Sequence, residues 1–310
     1  MPGRRLGQVD LIRSDSPSTH RRSILIRDLF IHLRLDYQHL LAPIFLWGYF
    51  LAGGRPDGHF WLAFLAFHFF LYGGATAFNS YYDKDEGPVG GLAKPPPTTS
   101  ALLPFSLAVQ TLGLIPAAMV NTGFLAIYLT MFIMGIAYSH PRIRLKSRPL
   151  VGLWTVGLGQ GVLASLGGWI CEQPRLVPIE SIEGLGILAV TLITVGFYPL
   201  TQIYQIAEDR ARGDWTFAAW AGPRRTFAFS IVVQAVGALV LVGTVGRLMG
   251  LVECLFVATF YGALLAATVQ WARSFDRTEV LRNYRRVMGI NTVTSLGFMG
   301  FIGLHLFGIL

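Results

Sequence analysis

Long apolar runs alternate with short polar stretches along the whole chain. The runs are continuous and close to 20 residues each, which is enough for an α-helix to cross a hydrocarbon core of about 30 Å. Membrane β-strands would instead show alternating apolar and polar positions. We predict nine membrane-spanning helices, at about residues 38–54, 58–79, 101–119, 122–139, 150–170, 184–204, 227–246, 250–272 and 287–309.

Composition supports a membrane protein rather than a soluble one. Of the 310 residues, 53% are hydrophobic and only 14% are charged, whereas a soluble domain carries about 25% charged residues. No linker rich in serine, glycine or charge divides the chain. The predicted fold class is therefore an all-α membrane protein, with one transmembrane domain over residues 38–310.

The positive charges are distributed unevenly between alternate loops. All 25 Lys and Arg residues except Arg55, Arg175 and Arg247 fall in the N-terminal arm and in every second loop. Positively charged loops remain cytoplasmic, which predicts a cytoplasmic N-terminus and an outward C-terminus. The net charge of +8 then reflects topology, and no nucleic-acid partner is expected.

Residues 1–37 contain arginines and serines but no apolar stretch long enough for a secretory signal. Their aspartates argue against an organelle transit peptide. We predict a cytoplasmic N-terminal arm, with an interfacial amphipathic helix near residues 23–35.

A polar cluster follows the second predicted helix. Asn79 and Asp83 are separated by four residues, so they share one helix face. Glu86 continues this face if the helix persists, whereas Asp85 is turned about 200° from Asp83 and is expected to point elsewhere. Carboxylate and amide oxygens are the ligands that Mg²⁺ prefers.

A second polar cluster closes the sixth predicted helix. Gln205 and Asp209 are again four residues apart, and Tyr198 and Gln202 extend the same stripe into the membrane. Asp214 shares this site only if Gly213 interrupts the helix first.

Either cluster alone is typical of a solvated helix end. Two clusters at the same membrane face favour a shared site, in which a divalent cation holds a phosphorylated, lipid-like substrate. Basic residues near this face are candidates for binding the anion, although topology alone also explains them. These residues are Arg34, Lys94, Arg142, Arg144 and Lys146.

The two clusters resemble the motifs of the UbiA superfamily of intramembrane prenyltransferases. The first family motif is N-D-x-x-D-x-x-x-D, which Asn79 and Asp83 match, while Ser80 and Gly87 replace two aspartates. Lys94 and the following proline resemble a Lys-Pro element of the family.

The second family motif is D-x-x-x-D, often followed by Gly-Asp and Thr. Gln205 occupies its first position and Asp209 its second, and Gly213, Asp214 and Thr216 follow. The resemblance covers nearly the whole chain, with nine spans, a cytoplasmic N-terminus and an acidic motif after spans two and six.

The resemblance implies a helical bundle around a central cavity, in which Mg²⁺ holds a prenyl diphosphate at the cytoplasmic side. The candidate metal ligands are Asn79, Asp83, Glu86, Asp209 and Asp214. The candidate catalytic residues are Asn79, Asp83, Asp209, Lys94, Arg144 and Lys146. The candidate substrate-binding residues are Arg34, Tyr81, Arg142, Tyr198, Gln202, Tyr204 and Gln205.

The implied reaction is transfer of an isoprenoid group to an aromatic or lipid-like acceptor inside the bilayer. Tyr81, Tyr198 and Tyr204 offer aromatic faces to an allylic carbocation. Three alternatives remain open: a membrane terpene cyclase of the same fold, a cation transporter, and a family member that binds a prenyl lipid without catalysis. The transporter alternative lacks acidic residues at mid-depth in the membrane.

Overall fold

The computed structural model describes residues 25–173, 175–178 and 180–309. This part of the chain is helical apart from its connecting loops. Its main helices are α1 (Ala42–Leu51), α2 (Gly58–Asp83), α3 (Leu102–Val120), α4 (Thr122–Ser139), α5 (Pro149–Trp169), α6 (Ile182–Gln202), α7 (Ile206–Ala211), α8 (Phe217–Leu248), α9 (Leu251–Arg273) and α10 (Val280–Leu306).

Eight of these helices (α2 to α6 and α8 to α10) are long and apolar enough to cross a membrane. They coincide with the second to ninth predicted spans, so the chain is an all-α, multi-pass integral membrane protein. The first predicted span is instead a short 3₁₀ helix, Leu35–Leu40, followed by the ten-residue α1. Because α1 is shorter than the roughly 20 residues of a full crossing, the count of nine spans remains a prediction. The orientation of the two termini also remains a prediction.

Two helices begin well before their predicted starts. Helix α8 begins at Phe217, continues through a kink at Gly222 and Pro223, and only then enters its apolar stretch. Helix α10 begins at Val280. Hydropathy detects only the apolar part of a helix, so polar turns that extend beyond the hydrocarbon region escape it.

The N-terminal arm is described only from residue 25 onward, and residues 25–31 are helical. Ile26 and Phe30 are exposed, whereas the adjoining Leu33 is fully buried and packs in a cluster with Ala77 of α2 and Leu102 of α3. The arm is thus anchored on the bundle, and its interfacial location remains a prediction.

Helices α1 and α5 approach each other closely. A Cβ atom on Gly48 would lie 1.8 Å from the carbonyl oxygen of Ser165, and one on Gly168 would lie 2.0 Å from the carbonyl oxygen of Phe45. Small residues of this kind allow membrane helices to pack backbone against backbone. The contact holds α1, and with it the segment carrying Arg34, against the centre of the bundle.

We expect Gly48→Ala to destabilise the protein by about 1–3 kcal/mol, because the added methyl group forces two helices apart. The measurement is the midpoint of thermal unfolding in detergent. Gly243→Ala on α8 is the matched control, because no atom lies within 4 Å of its added Cβ. Equal midpoints for the two variants would contradict the close packing of α1 on α5.

Candidate active site

The first acidic motif lies where α2 ends. The helix stops at Asp83, and Lys84 adopts a left-handed conformation (φ 51°) that turns the chain. As a result the Asp85 carboxylate is only 3% exposed and pairs with Arg212, while Glu86 is exposed. Asp85 was expected to point away from the site of Asp83, but it lines the same cavity. The helix ends before Glu86, so the condition for Glu86 to continue the helix face is not met.

The second acidic motif lies on the short helix α7. Gly213 has a φ of +79°, which interrupts the helix, and the backbone amide of Asp214 donates to the carbonyl of Asp209 at 2.8 Å. The hydroxyl of Thr216 donates to Asp209 Oδ2 at 2.9 Å. Gly213 thus interrupts the helix, as the predicted place of Asp214 requires. The carboxylates of Asp209 and Asp214 lie in the same site.

The two motifs line one polar cavity of about 170 Å³. Its walls include residues from α2, the following loop, α6, α7 and the segments after α4 and α7. Among them are Asn79, Asp83, Asp85, Gln202, Tyr204, Gln205, Asp209 and Asp214. Asn79 of the first motif and Asp209 of the second therefore face a common space.

Two cations from the loop between α4 and α5 tie the motifs together. Lys146 Nζ lies 2.6 Å from Asn79 Oδ1 and also contacts the carboxylate of Asp83. Arg144 donates twice to Asp214, at 2.6 and 2.7 Å, and once to Asp83 at 3.2 Å. A single guanidinium thus joins a carboxylate of the first motif to one of the second.

Burial changes the acid–base properties of these groups. Removal from water raises the pKa of Asp209 to about 6, even though hydrogen bonds from Thr216 and Arg212 lower it. Burial lowers the pKa of Lys146, although the charge of Asp83 opposes this effect. The hydrogen bond to Asp214 raises the pKa of Arg144. These opposite charges stabilise one another in a site largely withdrawn from solvent.

Arg34 reaches the same cavity from the segment before α1. Its side chain is 4% exposed, and it donates to the Ser80 hydroxyl at 2.7 Å and to the Gly90 carbonyl at 3.3 Å. Ser80 stands where the related motif has an aspartate. Arg34 therefore carries a buried positive charge that is held by neutral groups.

Several predicted residues lie outside the cavity lining. Lys94 and Arg142 are exposed in loops, and Glu86 is exposed as well. Tyr81 packs beside Leu33 in the α2–α3 cluster. Their placement depends on where α2 stops and how two loops fold, which spacing along the chain does not reveal.

Three residues of the site were missed in the sequence, namely Arg212, Tyr138 and Tyr37, whereas Tyr198 was a predicted substrate-binding residue. Arg212 contacts Asp85 and Asp209. The hydroxyls of Tyr138 and Tyr198 are 2.6 Å apart, and Tyr37 lines the cavity with them. The only signal in the sequence was the position of Arg212 between two acidic residues.

Two apolar chambers adjoin the polar cavity. One, of about 210 Å³, lies between α2, α4 and α5; its apolar walls include Leu71, Tyr72, Met131, Met134 and Val156. The other, of about 180 Å³, lies between α1, α6 and α10; its apolar walls include Leu41, Ile193, Phe197, Tyr261 and Phe298. Tyr37 and Tyr198 line all three spaces.

The donor set of the polar cavity fits a hard cation. Asn79 Oδ1 and an Asp83 oxygen already converge on one positive charge, the ammonium of Lys146, and oxygen ligands suit Mg²⁺. Among the described residues, however, no three acidic, histidine or cysteine side chains form a ready metal cluster. Mg²⁺ commonly completes its shell with water and substrate phosphate, which fits such a partial set.

Comparison with known proteins identifies related chains. Over 148 residues, 45% of this chain and 48% of the relative, the sequence is 30% identical to a protoheme IX farnesyltransferase from Aeropyrum pernix. Over 173 residues, 54% of this chain and 61% of the relative, it is 27% identical to a digeranylgeranylglyceryl phosphate synthase from Methanothrix thermoacetophila. The chain thus matches less than two thirds of the length of either relative.

A solved structure shares the fold over most of the chain. It is a UbiA homologue from Archaeoglobus fulgidus bound to DMAPP and Mg²⁺, with a TM-score of 0.66 and 21% identity over 91% of this chain and all of the other. The sequence model of the UbiA prenyltransferase family matches residues 41–293. Because this match covers most of the chain, including both acidic motifs, the protein belongs to the UbiA prenyltransferase family.

Proposed function

We propose that the protein transfers an isoprenoid group from a prenyl diphosphate to a hydrophobic or aromatic acceptor inside the membrane, with Mg²⁺ as cofactor. One observation carries this proposal. Both acidic motifs and Lys146 line a single polar cavity next to two apolar chambers, and Arg144 is ion-paired to Asp83 and Asp214 of its lining. Such an arrangement suits substrates with a charged head and an apolar tail.

The oxygen donors would hold the cofactor at the meeting point of the motifs. Asn79 and Asp83 would supply donors from α2, and Asp209 and Asp214, on α7 and in the turn after it, face the same cavity. When bound, Mg²⁺ supplies positive charge where negative charge develops on the leaving diphosphate. The solved relative from Archaeoglobus fulgidus, bound to DMAPP and Mg²⁺, supports this choice of ligand and cofactor.

The basic residues would bind the diphosphate. Lys146 and Arg144 are held at the cavity by Asp83 and Asp214, so their donors are already positioned for phosphate oxygens. Arg34 lines the same cavity. Fixed donors of this kind stabilise charge that develops as the carbon–oxygen bond breaks, without having to reorient during the reaction.

Ionisation of the donor leaves an allylic carbocation at the boundary between the polar and apolar spaces. Tyr138 and Tyr198 are hydrogen-bonded to each other at this boundary, and aromatic faces attract such a cation. The apolar walls exclude water that would otherwise quench it. Attack by an electron-rich carbon or oxygen of the acceptor, followed by loss of a proton, completes the transfer.

Two chambers favour transfer over cyclisation. A cyclase needs space for one folded chain, whereas this site adjoins two apolar spaces on different sides of Tyr37, Leu41, Gln160 and Tyr198, which line both. We assign one chamber to the donor chain and the other to the acceptor. With nine spans and a cytoplasmic N-terminus, the polar cavity would face the cytoplasm, where soluble diphosphates are made available.

Turnover of pure protein tests the assignment. The protein in detergent is incubated with Mg²⁺ and dimethylallyl diphosphate or its longer homologues, with and without candidate aromatic and lipid acceptors. We expect prenylated acceptor, identified by mass spectrometry, and little diphosphate release without acceptor. A cyclic hydrocarbon formed in the absence of acceptor would support the cyclase alternative instead.

A further inference from the structure

Arg212 contacts more acidic side chains than helical spacing within one segment can explain. Its guanidinium donates to Asp85 and, at 3.0 Å, to Asp209 Oδ1. It also lies 3.4 Å from Glu208 and 3.7 Å from Asp214. One cation therefore lies close to carboxylates from the loop after α2, from the second motif and from the turn that follows it.

Arg212 thus lies between carboxylates that would otherwise share a metal ion. The carboxylates of Asp85, Asp209 and Asp214 are each no more than 7% exposed, so they need a partner of positive charge. Arg212 supplies that partner from within the same segment, three residues after Asp209. Lys146, by contrast, reaches the cavity from another loop.

The two motifs differ in which groups already occupy their oxygen ligands. At the first motif, Asn79 and Asp83 are joined by Lys146, which reaches them from a different segment of the chain. At the second motif, Asp209 has both oxygens engaged, by Arg212 and by Thr216. A dication placed here would also lie beside a fixed guanidinium and be repelled by it.

We propose that Arg212 is a built-in cation that replaces one divalent ion, so that the site takes a single Mg²⁺ centred on Asn79 and Asp83. This inference rests on the proposed function. Ser80 and Gln205 agree with it, because both are neutral where the related motifs carry aspartates, and a second dication would lack their charge. Arg212 acts by neutralising and positioning the acids, not by contacting the reacting carbon.

Counting bound metal ions tests the inference directly. Purified full-length protein is dialysed to equilibrium against Mn²⁺ with inorganic diphosphate, and protein-bound Mn²⁺ is quantified by electron paramagnetic resonance. We expect one ion per chain for the wild type, two for Arg212→Gln, and one for Arg212→Lys, which retains the charge. Arg210→Gln is the matched control with one ion, because Arg210 donates to the carbonyl of Ala219.

The outcomes separate the two proposals. Two ions in the wild type would overturn the role of Arg212 while leaving the proposed function intact, and so would one ion in a folded Arg212→Gln. If that variant does not fold, the wild-type and Arg212→Lys counts still decide. No bound Mn²⁺ in any variant would overturn the proposed function itself.

Discussion

Asp83→Asn should lower the rate of diphosphate release by about 10³-fold, the upper range for losing one electrostatic group at a reaction centre. The change removes a carboxylate that contacts both Lys146 and Arg144. It therefore removes the charge of a proposed metal ligand and the counter-ion of two cations that we propose bind the diphosphate. The measurement is release of diphosphate from a prenyl diphosphate, in the presence of the acceptor, across a range of Mg²⁺ concentrations.

The matched control is Asp276→Asn, which changes the same residue type in the exposed loop between α9 and α10. Both variants should remain monodisperse in detergent. Saturating Mg²⁺ should not restore Asp83→Asn, because the missing group also organises the cations. Wild-type turnover in Asp83→Asn would contradict the location of the active site.

Lys146→Met should reduce kcat by about 10²–10³-fold, since a preorganised positive charge stabilises the leaving group more in the transition state than in the ground state. Methionine preserves the apolar part of this buried side chain, so the expected loss comes from the ammonium. We expect KM for the donor to change much less than kcat. Steady-state kinetics with the donor as varied substrate provides both values.

Lys94→Met is the control for this variant. It also tests whether the sequence motif or the fold identifies the catalytic lysine. The sequence motif made Lys94 a catalytic candidate, whereas the fold leaves it exposed outside the cavity lining. We expect Lys94→Met to retain most of the wild-type rate. A loss as large as that of Lys146→Met would mean that the loop after α2 closes over the substrate.

The elements of the site that follow from local periodicity were predictable from the sequence. Asn79 and Asp83, and likewise Gln205 and Asp209, are one helical turn apart, and each pair ends an apolar run. The glycine at position 213 also indicated how Asp214 would join its neighbours. Eight of the apolar runs lie in helices long enough to cross a membrane, because a helix that crosses a bilayer needs about 20 consecutive apolar residues.

The predictions that failed concern contacts between segments that are distant in the sequence. Helix α2 ends at Asp83 because Lys84 takes a left-handed conformation, which is unusual for a residue other than glycine or asparagine. That turn brings Asp85 to Arg212, across 127 residues of sequence, and leaves Glu86 outside. No periodicity connects those two positions, and the same holds for Tyr138 and Tyr198.

The most direct test of the account is a structure of the protein with Mn²⁺ and an unreactive thio-analogue of dimethylallyl diphosphate. The account predicts an anomalous Mn²⁺ peak within about 2.0–2.3 Å of an Asp83 oxygen, inside the cavity that Asp209 also lines, with the diphosphate against Lys146. A bound analogue whose diphosphate and metal lie elsewhere in the bundle would contradict it.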